Sequence, residues 1–99
     1  MPYAIFSQDK PGSLQHRNDT RPQHREFLAT QANVLLAAGP LMADDNSGGI
    51  GSLTVLDTHE RDVAIRFAEA DPNFQVGLFE SVSIYRWKQT IRDGKRIAT

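Results

Sequence analysis

The chain has 99 residues, of which 39% are hydrophobic and 23% are charged, and 11 basic against 12 acidic side chains give a formal net charge of -1. This length fits one domain, and this composition excludes both a disordered chain and a protein whose charge attracts nucleic acid or anionic lipid. The chain contains no cysteine, so disulfides, thiolate nucleophiles and cysteine-ligated metals are excluded as well.

The first elements predicted along the chain are a strand and a helix. Residues 3–8 are mostly aromatic, branched or small, and a Pro-Gly turn follows them, which predicts a strand. Helix-capping side chains at 18–20 precede Pro22, and proline suits the first turn of a helix because the N–H that it lacks would have no partner there. We therefore expect a helix from Pro22 to near Asn33. Its core-facing stripe would consist of His24, Phe27, Leu28 and Ala32.

The next segment predicts a β-hairpin. Residues 34–42 form an apolar run in which Gly39 and Pro40 would break a helix, so we expect a short strand. The polar turn at 44–49 follows it, and residues 50–56 then alternate as a second strand does.

The second half of the chain adds another helix and another strand. Thr58 is a suitable cap for a helix that must end at Asp71, because the residue before Pro72 is pushed out of the α region. Alternation over 78–87 predicts a final strand. The order β, α, β, β, α, β is that of the α+β ferredoxin-like fold, in which two helices cover one face of an antiparallel four-stranded sheet.

The other face of such a sheet has no helix to cover it. Alternating apolar and aromatic residues on that face would expose a large apolar patch, so we expect a homodimer that packs face to face. The domain is expected to span residues 1–88. Residues 89–99 are expected to form a basic, exposed tail, which we interpret as a solvated end rather than a nucleic-acid site.

The cellular location is predicted from the segments that the sequence lacks. The first residues show neither the basic start nor the long apolar stretch of a secretory signal, and no run approaches the roughly 18 apolar residues of a membrane span. We therefore expect a cytoplasmic protein with neither a membrane nor a nucleic acid among its partners.

Three histidines are the candidate proton-transfer groups. His24 is expected in the first turn of the first helix, where the positive helix end disfavours the imidazolium form and leaves a neutral ring that accepts or donates a proton. The pattern leaves open whether His24 does this or is a structural histidine bonded between helix and sheet. His16, expected in the loop before that helix, and His59, expected in the first turn of the second helix, are predicted to be ordinary surface histidines.

Acidic residues offer a partner for His24 but no metal site. Asp71 can orient a histidine ring or act as a base if the fold brings the two together, and otherwise it only marks a helix end. Asp44 and Asp45 are adjacent acids on a Gly-rich turn, but the alternating oxygen ligands of a calcium loop are missing. No lysine follows the glycines at 48–51, so no phosphate loop is predicted either. We expect neither a metal nor a cofactor.

Several short motifs in a fixed order match a known family. The opening strand ends in F-S-Q-D, an R-x-x-x-R-x-x-H pattern follows it, and A-G-P-L, G-S, D-P and G-L-F come later. With these motifs the chain resembles the YCII-related family of the dimeric α+β barrel group, from Tyr3 to about Trp87. The residues that carry the resemblance are Phe6, Ser7, Gln8, Asp9, Arg17, Arg21, His24, Ala38, Gly39, Pro40, Leu41, Gly51, Ser52, Asp71, Pro72, Gly77, Leu78, Phe79 and Trp87.

The resemblance implies a pocket between sheet and helices in which a histidine and an aspartate form an acid/base pair, and these roles fall on His24 and Asp71. Arg21, one turn before His24 on the same helix face, would hold an anionic substrate group, and Ser52 would add a hydroxyl. The similarity extends to dehydrochlorinase-like and muconolactone-isomerase-like proteins, which implies a small substrate derived from an aromatic ring or a lactone. The chain departs from the family pattern at Asn73, because an aromatic residue often follows Asp-Pro there.

Two functions are compatible with the sequence. One is a cofactor-free lyase or isomerase in which His24 moves a proton and Asp71 orients it. The other is a non-catalytic module that binds a small ligand in the same pocket. The distance between His24 and Asp71 is the observation that bears most directly on this choice.

Overall fold

The computed structural model describes residues 1–97, which form one sheet, three helices and a small hairpin. The strands and helices in chain order are β1 Tyr3–Asp9, α1 Leu14–Thr30, β2 Leu35–Met42, β3 Gly49–Leu56, α2 Arg61–Ala70, α3 Pro72–Gln75, β4 Phe79–Arg86, β5 Ile91–Arg92 and β6 Lys95–Arg96, with a 3₁₀ turn at Ala32–Val34 between α1 and β2.

The main sheet has four antiparallel strands in the order β2-β3-β1-β4. In the central strand β1, Tyr3 lies opposite Leu56 of β3 on one side and opposite Arg86 of β4 on the other. The predicted α+β fold with an antiparallel four-stranded sheet is therefore confirmed.

Alternation along the strands decides which side chains form the core. Tyr3 and Ile5 of β1 and Leu56 of β3 point to one face and are at most 6% exposed. They pack with Phe67 of α2, and the ring of Phe27 in α1 lies 5.0 Å from the ring of Phe67 between centroids. Both long helices therefore cover the same face of the sheet, and apolar burial there supplies the main driving force for folding.

The opposite face of the sheet, here called the open face, has no helix over it. Phe6 of β1 lies opposite Leu53 of β3 and Ser83 of β4, so all three point to this face. Phe6 is 43% exposed, and its ring makes an edge contact with Tyr85 at 6.4 Å between centroids. The open face thus carries aromatic surface that the domain itself leaves in contact with water.

The first helix begins at Leu14, so the predicted start at Pro22 is wrong. Pro22 lies inside α1, where it removes one backbone hydrogen bond at a cost of about 3 kcal/mol. Arg17 and Thr20 lie in the preceding turns and are at most 7% exposed, so buried contacts fix this half of the helix. Apolar periodicity cannot reveal these turns because their inward residues are polar.

Two further helix boundaries differ from the expected ones. Helix α1 ends at Thr30 rather than near Asn33, and the 3₁₀ turn leads into β2. Helix α2 ends before Asp71, as expected, but Asp71 then accepts the backbone N–H of Asn73 at 3.0 Å and caps the short helix α3. The Asp-Pro pair therefore ends one helix and begins the next.

The predicted tail contains a small hairpin. Strands β5 and β6 pair through a turn in which Asp93 and Gly94 have φ angles of 52° and 74°, and the four strand residues are exposed. The last two residues of the predicted tail, 98 and 99, lie outside the described part of the chain. None of the helices in residues 1–97 has the length and apolar character that crossing a bilayer requires.

Candidate functional site

His24 in α1 and Asp71 at the start of α3 form a hydrogen-bonded pair. The Nδ1 atom of His24 lies 2.8 Å from Oδ1 of Asp71, and the two side chains are 12% and 8% exposed. The same carboxylate oxygen accepts the backbone N–H of Asn73. The expected hydrogen bond between His24 and Asp71 is confirmed, because α3 packs against α1 and brings the carboxylate to the histidine.

The positions of the three histidines differ from the expected ones. His24 lies ten residues after Leu14, the first residue of α1, which is about 15 Å along the helix axis. The positive helix end acts within the first turn only, so it does not act on His24. His16 is an exposed residue of α1 rather than of a loop. His59 precedes α2, and its Nδ1 lies 2.5 Å from the N-terminal nitrogen of Met1.

A second polar cluster joins β1, α1 and β3. Arg17 donates from Nε to Oδ2 of Asp9 at 2.5 Å and from Nη2 to Oδ1 of Asp9 at 3.0 Å. The same Nη2 atom donates to the hydroxyl of Ser52 at 2.9 Å. The charged side chains are only 7% and 5% exposed, so each needs the other to offset the loss of hydration.

The structure does not bring the two expected substrate contacts, Arg21 and Ser52, together. Arg21 is exposed and donates to Oδ1 of Asn18 at 2.6 Å. Its side chain faces solvent, whereas Thr20, four residues before His24, takes the inward position one turn earlier. Ser52 is buried, but the guanidinium that it contacts is that of Arg17.

A cavity of about 650 Å³ lies between the open face, the β1–α1 loop and the turn between β2 and β3. Neither His24 nor Asp71 lines it, and neither lines a smaller cavity of about 240 Å³ between α1 and α2. The histidine pair and the larger cavity are therefore separate features. The larger cavity is lined by Phe6, Ser7, Gln8, Asp9, Lys10, Pro11, Gly12, Ser13, Leu14, Leu41, Ser47, Gly49, Ile50, Ser81 and Ser83.

The sequence matches one described protein family. The model of the YCII-related domain matches residues 1–88. This chain belongs to the YCII-related family. Its relatives include Protein YciI of Escherichia coli O6:H1 strain CFT073, which is 35% identical over 96 residues, or 90% of this chain and 98% of that protein. An uncharacterized protein of Haemophilus influenzae is 34% identical over 96 residues, which make up 90% of this chain and 98% of that protein.

Solved structures resemble this YCII-related chain as well. The 5-chloro-2-hydroxyhydroquinone dehydrochlorinase of Burkholderia phenoliruptrix AC1100, solved in complex with 2,5-dihydroxybenzoquinone, is 30% identical with a TM-score of 0.81. The match covers 89% of this chain and 94% of the dehydrochlorinase. A second structure, from Bacteroides thetaiotaomicron, is described as a putative antibiotic biosynthesis monooxygenase and is only 10% identical, with a TM-score of 0.58. The match covers 98% of this chain and 95% of that one. At this low identity it supports the fold alone.

Sequence reasoning missed Asp9 and Arg17 as members of the buried polar layer of this YCII-related domain. Both stand in motifs that carry the family resemblance, but a helix starting at Pro22 leaves Arg17 in a loop. With α1 beginning at Leu14, the spacing indicates the inward position of Arg17. Arg17 precedes His24 by seven residues, or about two helical turns, so both side chains lie on one face of α1.

Asn73 is the remaining polar residue of note near the pair. It is 1% exposed, and its Oδ1 is the one buried side-chain nitrogen or oxygen in residues 1–97 without a hydrogen-bond partner. An unsatisfied buried acceptor therefore stands two residues from Asp71. Across the same described residues, no group of three His, Asp or Glu side chains is arranged to hold a metal ion.

Proposed function

We propose that this YCII-related protein is a small-molecule enzyme that works without a cofactor and catalyses proton transfer in a lyase or isomerase reaction. In this proposal His24 moves the proton and Asp71 orients its ring. The observation that supports it is the 2.8 Å hydrogen bond between two side chains that are 12% and 8% exposed. A histidine held in this way has one defined free nitrogen, which suits a general base.

The hydrogen bond to Asp71 determines which ring nitrogen of His24 accepts the substrate proton. An ionised Asp71 can only accept hydrogen bonds, so Nδ1 of His24 carries the proton that it donates, and Nε2 keeps its lone pair. Nε2 takes a proton from the substrate, and the carboxylate stabilises the imidazolium that forms. In an elimination the electron pair left behind expels an anion; in an isomerisation Nε2 returns the proton to another substrate atom. Neither reaction requires an electron acceptor.

The substrate class is proposed from the similarity to the dehydrochlorinase. That enzyme is named for 5-chloro-2-hydroxyhydroquinone, and its complex contains 2,5-dihydroxybenzoquinone. Loss of HCl removes one proton to a base and one chloride to solvent, which is a reaction that a histidine–aspartate pair can serve. We therefore propose a small hydroxylated ring compound as the substrate of this chain.

Arg21 and Ser52 are proposed as secondary substrate contacts. Arg21 is an exposed cation one turn before His24, so it is available to an anionic part of a ligand that approaches from solvent. Ser52 accepts its hydrogen bond from Arg17 and keeps its own hydroxyl proton to donate.

We further propose that two copies pack through their open faces and that the protein works in the cytoplasm. The exposed rings of Phe6 and Tyr85 support the dimer, because face-to-face packing would remove this aromatic surface from water. Residues 1–88 are proposed as the functional domain, with residues 89–99 as a basic tail outside it.

The test is chloride release from 5-chloro-2-hydroxyhydroquinone and related chlorinated ring diols. We expect the purified protein to release chloride, and His24→Ala to lower kcat by about 100-fold or more, because general-base catalysis contributes at least that factor. His16→Ala is the matched control, since His16 is an exposed histidine on the same helix. Circular dichroism establishes that each variant is folded.

Full activity in the folded His24→Ala variant would contradict the assigned role. The second candidate function, a binding module, has one specific observation in its favour: neither His24 nor Asp71 lines the larger cavity. Tight binding of ring compounds without turnover of any of them would support that function instead.

A further inference from the structure

The smaller cavity, of about 240 Å³, lies between α1 and α2 on the helix-covered side of the domain. Leu56 of β3, which is fully buried, lines its bottom, and the tilted ring pair of Phe27 and Phe67 lines its side. All three residues belong to the core between sheet and helices, so this cavity is separate from the open face. Packing of two copies through their open faces therefore leaves it accessible.

The rim of this cavity carries one charged side chain. Arg66 of α2 lines the cavity and is exposed, and no Asp or Glu is among the described lining residues. Both ion pairs in residues 1–97 join other residues, so neither Asp62 nor Glu69, about one turn away on α2, pairs with Arg66. Gln31 lines the cavity from the side of α1 and adds amide donors. We propose that this cavity binds a small apolar carboxylate, whose apolar part lies between α1 and α2 and whose carboxylate contacts Arg66.

The size and walls of the cavity limit the ligand to a single ring or a chain of similar bulk. Small-molecule sites usually measure about 300–1,000 Å³, so a cavity of about 240 Å³ admits only a small ligand. Val63, Phe67 and Ala70 follow one another on α2 at intervals of four and three residues, so they form one apolar stripe along the cavity. An apolar ring gains from this contact, whereas ring hydroxyls placed there would lose water without a replacement partner.

The guanidinium at the rim favours a carboxylate over other polar groups. The planar fork of Arg66 matches the two oxygens of a carboxylate, and its charge strengthens the hydrogen bonds that it donates. A basic ligand would meet a like charge at the same position. A neutral amide has the shape of a carboxylate but not the charge, so it should bind more weakly.

The cavity adjoins the histidine–aspartate pair without including it. Phe27 lies about one turn after His24 in α1, and Ala70 immediately precedes Asp71. Neither member of the pair lines the cavity. A carboxylate on Arg66 does not require the pair, so this site goes beyond the proposed proton-transfer reaction.

The probe for this site is benzoate, a single apolar ring with one carboxylate. Titration into the full chain, followed by amide chemical shifts, should give the largest changes at Phe27, Val63 and Phe67. Arg66→Gln should weaken binding about fivefold, because an ion pair with an exposed arginine contributes a few-fold in affinity. Arg25→Gln removes the same charge from an exposed arginine of α1 that does not line the cavity, and it should leave binding unchanged.

Two analogues and one variant test the two halves of the ligand separately. Benzamide keeps the shape of benzoate without its charge, and acetate keeps the charge without the ring, so both should bind more weakly than benzoate. Ala70→Leu places a larger apolar side chain in the cavity and should weaken benzoate binding about tenfold or more, with circular dichroism to establish that the domain is folded.

Equal binding of benzoate to wild type and to Arg66→Gln would overturn the proposal. So would a titration whose largest shifts fall at Phe6 and Ser83 on the open face. His24→Ala should bind benzoate as the wild type does, so this site and the proposed catalytic role of His24 can fail independently.

Discussion

The two faces of the central sheet use polar residues in opposite ways. On the helix-covered face Asp9, Arg17, His24 and Asp71 are nearly buried, and each is bonded to another member of the set. On the open face Ser81 and Ser83 lie on the same side of the sheet as the exposed ring of Phe6. The covered face keeps its polar groups because they satisfy one another, whereas the hydroxyls of the open face have water as a partner in the isolated domain.

This contrast separates buried charged side chains that bond one another from hydroxyls that the sheet leaves in contact with water. A buried ion pair restrains the elements that it joins, because removing one partner leaves the other charged and dehydrated. Exposed hydroxyls have water as an alternative partner, so their replacement affects binding more than folding. Substitutions on the two faces should therefore fall into two classes of effect.

The largest effect is expected at Arg17. Arg17→Met leaves the carboxylate of Asp9 buried without a cation and Ser52 without its donor, which should lower the free energy of unfolding by about 3–5 kcal/mol. Urea unfolding monitored through Trp87 fluorescence measures this loss.

A compensating variant tests the reason for that effect. Asp9→Leu together with Arg17→Met removes both charges and should recover most of the lost stability, because apolar side chains of similar volume can replace a buried ion pair. A double variant as unstable as Arg17→Met would show that the geometry of the cluster, rather than the unpaired charge, governs stability.

The same contrast explains how much the sequence predicts. The sheet and α2 follow from apolar alternation and apolar spacing, because their inward residues are apolar, as Ile5 and Phe67 show. The first two turns of α1 cannot be predicted from apolar spacing, because their inward residues, Arg17 and Thr20, are polar. The family resemblance points to the His24–Asp71 pair, but the larger cavity depends on side chains from four separate segments, which only the folded chain brings together.

The next effect in size is expected on the open face. Phe6→Asp should weaken the proposed dimer by about 100-fold, because it removes an aromatic contact and places like charges near each other across a twofold interface. Sedimentation velocity measures the association, and circular dichroism should show an intact monomer. Phe74→Asp, also exposed but outside the sheet, is the control and should dimerise normally. A wild-type protein that sediments only as an 11.0 kDa species would contradict the dimer.

A smaller effect is expected at Asp71, which has both a structural and a proposed chemical role. Asp71→Ala removes the cap of α3 and the partner of His24, so the free energy of unfolding should fall by about 1–2 kcal/mol. Asp71→Asn keeps a capping oxygen and should recover part of that loss. A thermodynamic cycle with His24→Ala isolates the coupling between the two side chains, and a coupling near zero would show that their hydrogen bond adds no stability.

The smallest effect concerns Ser47, at the rim of the larger cavity. Hydrogen bonds from the side chain and the backbone of Ser47 hold the pKa of the exposed Asp45 carboxyl below its usual range. A lowered pKa in the folded state means that this contact stabilises the protein above the pKa of the unfolded chain and is lost as the pH falls through the folded value. Ser47→Ala should therefore raise the pKa of Asp45 towards its ordinary value, as a carboxyl-carbon NMR titration would show. An unchanged titration of Asp45 in Ser47→Ala would show that these hydrogen bonds do not cause the lowered pKa.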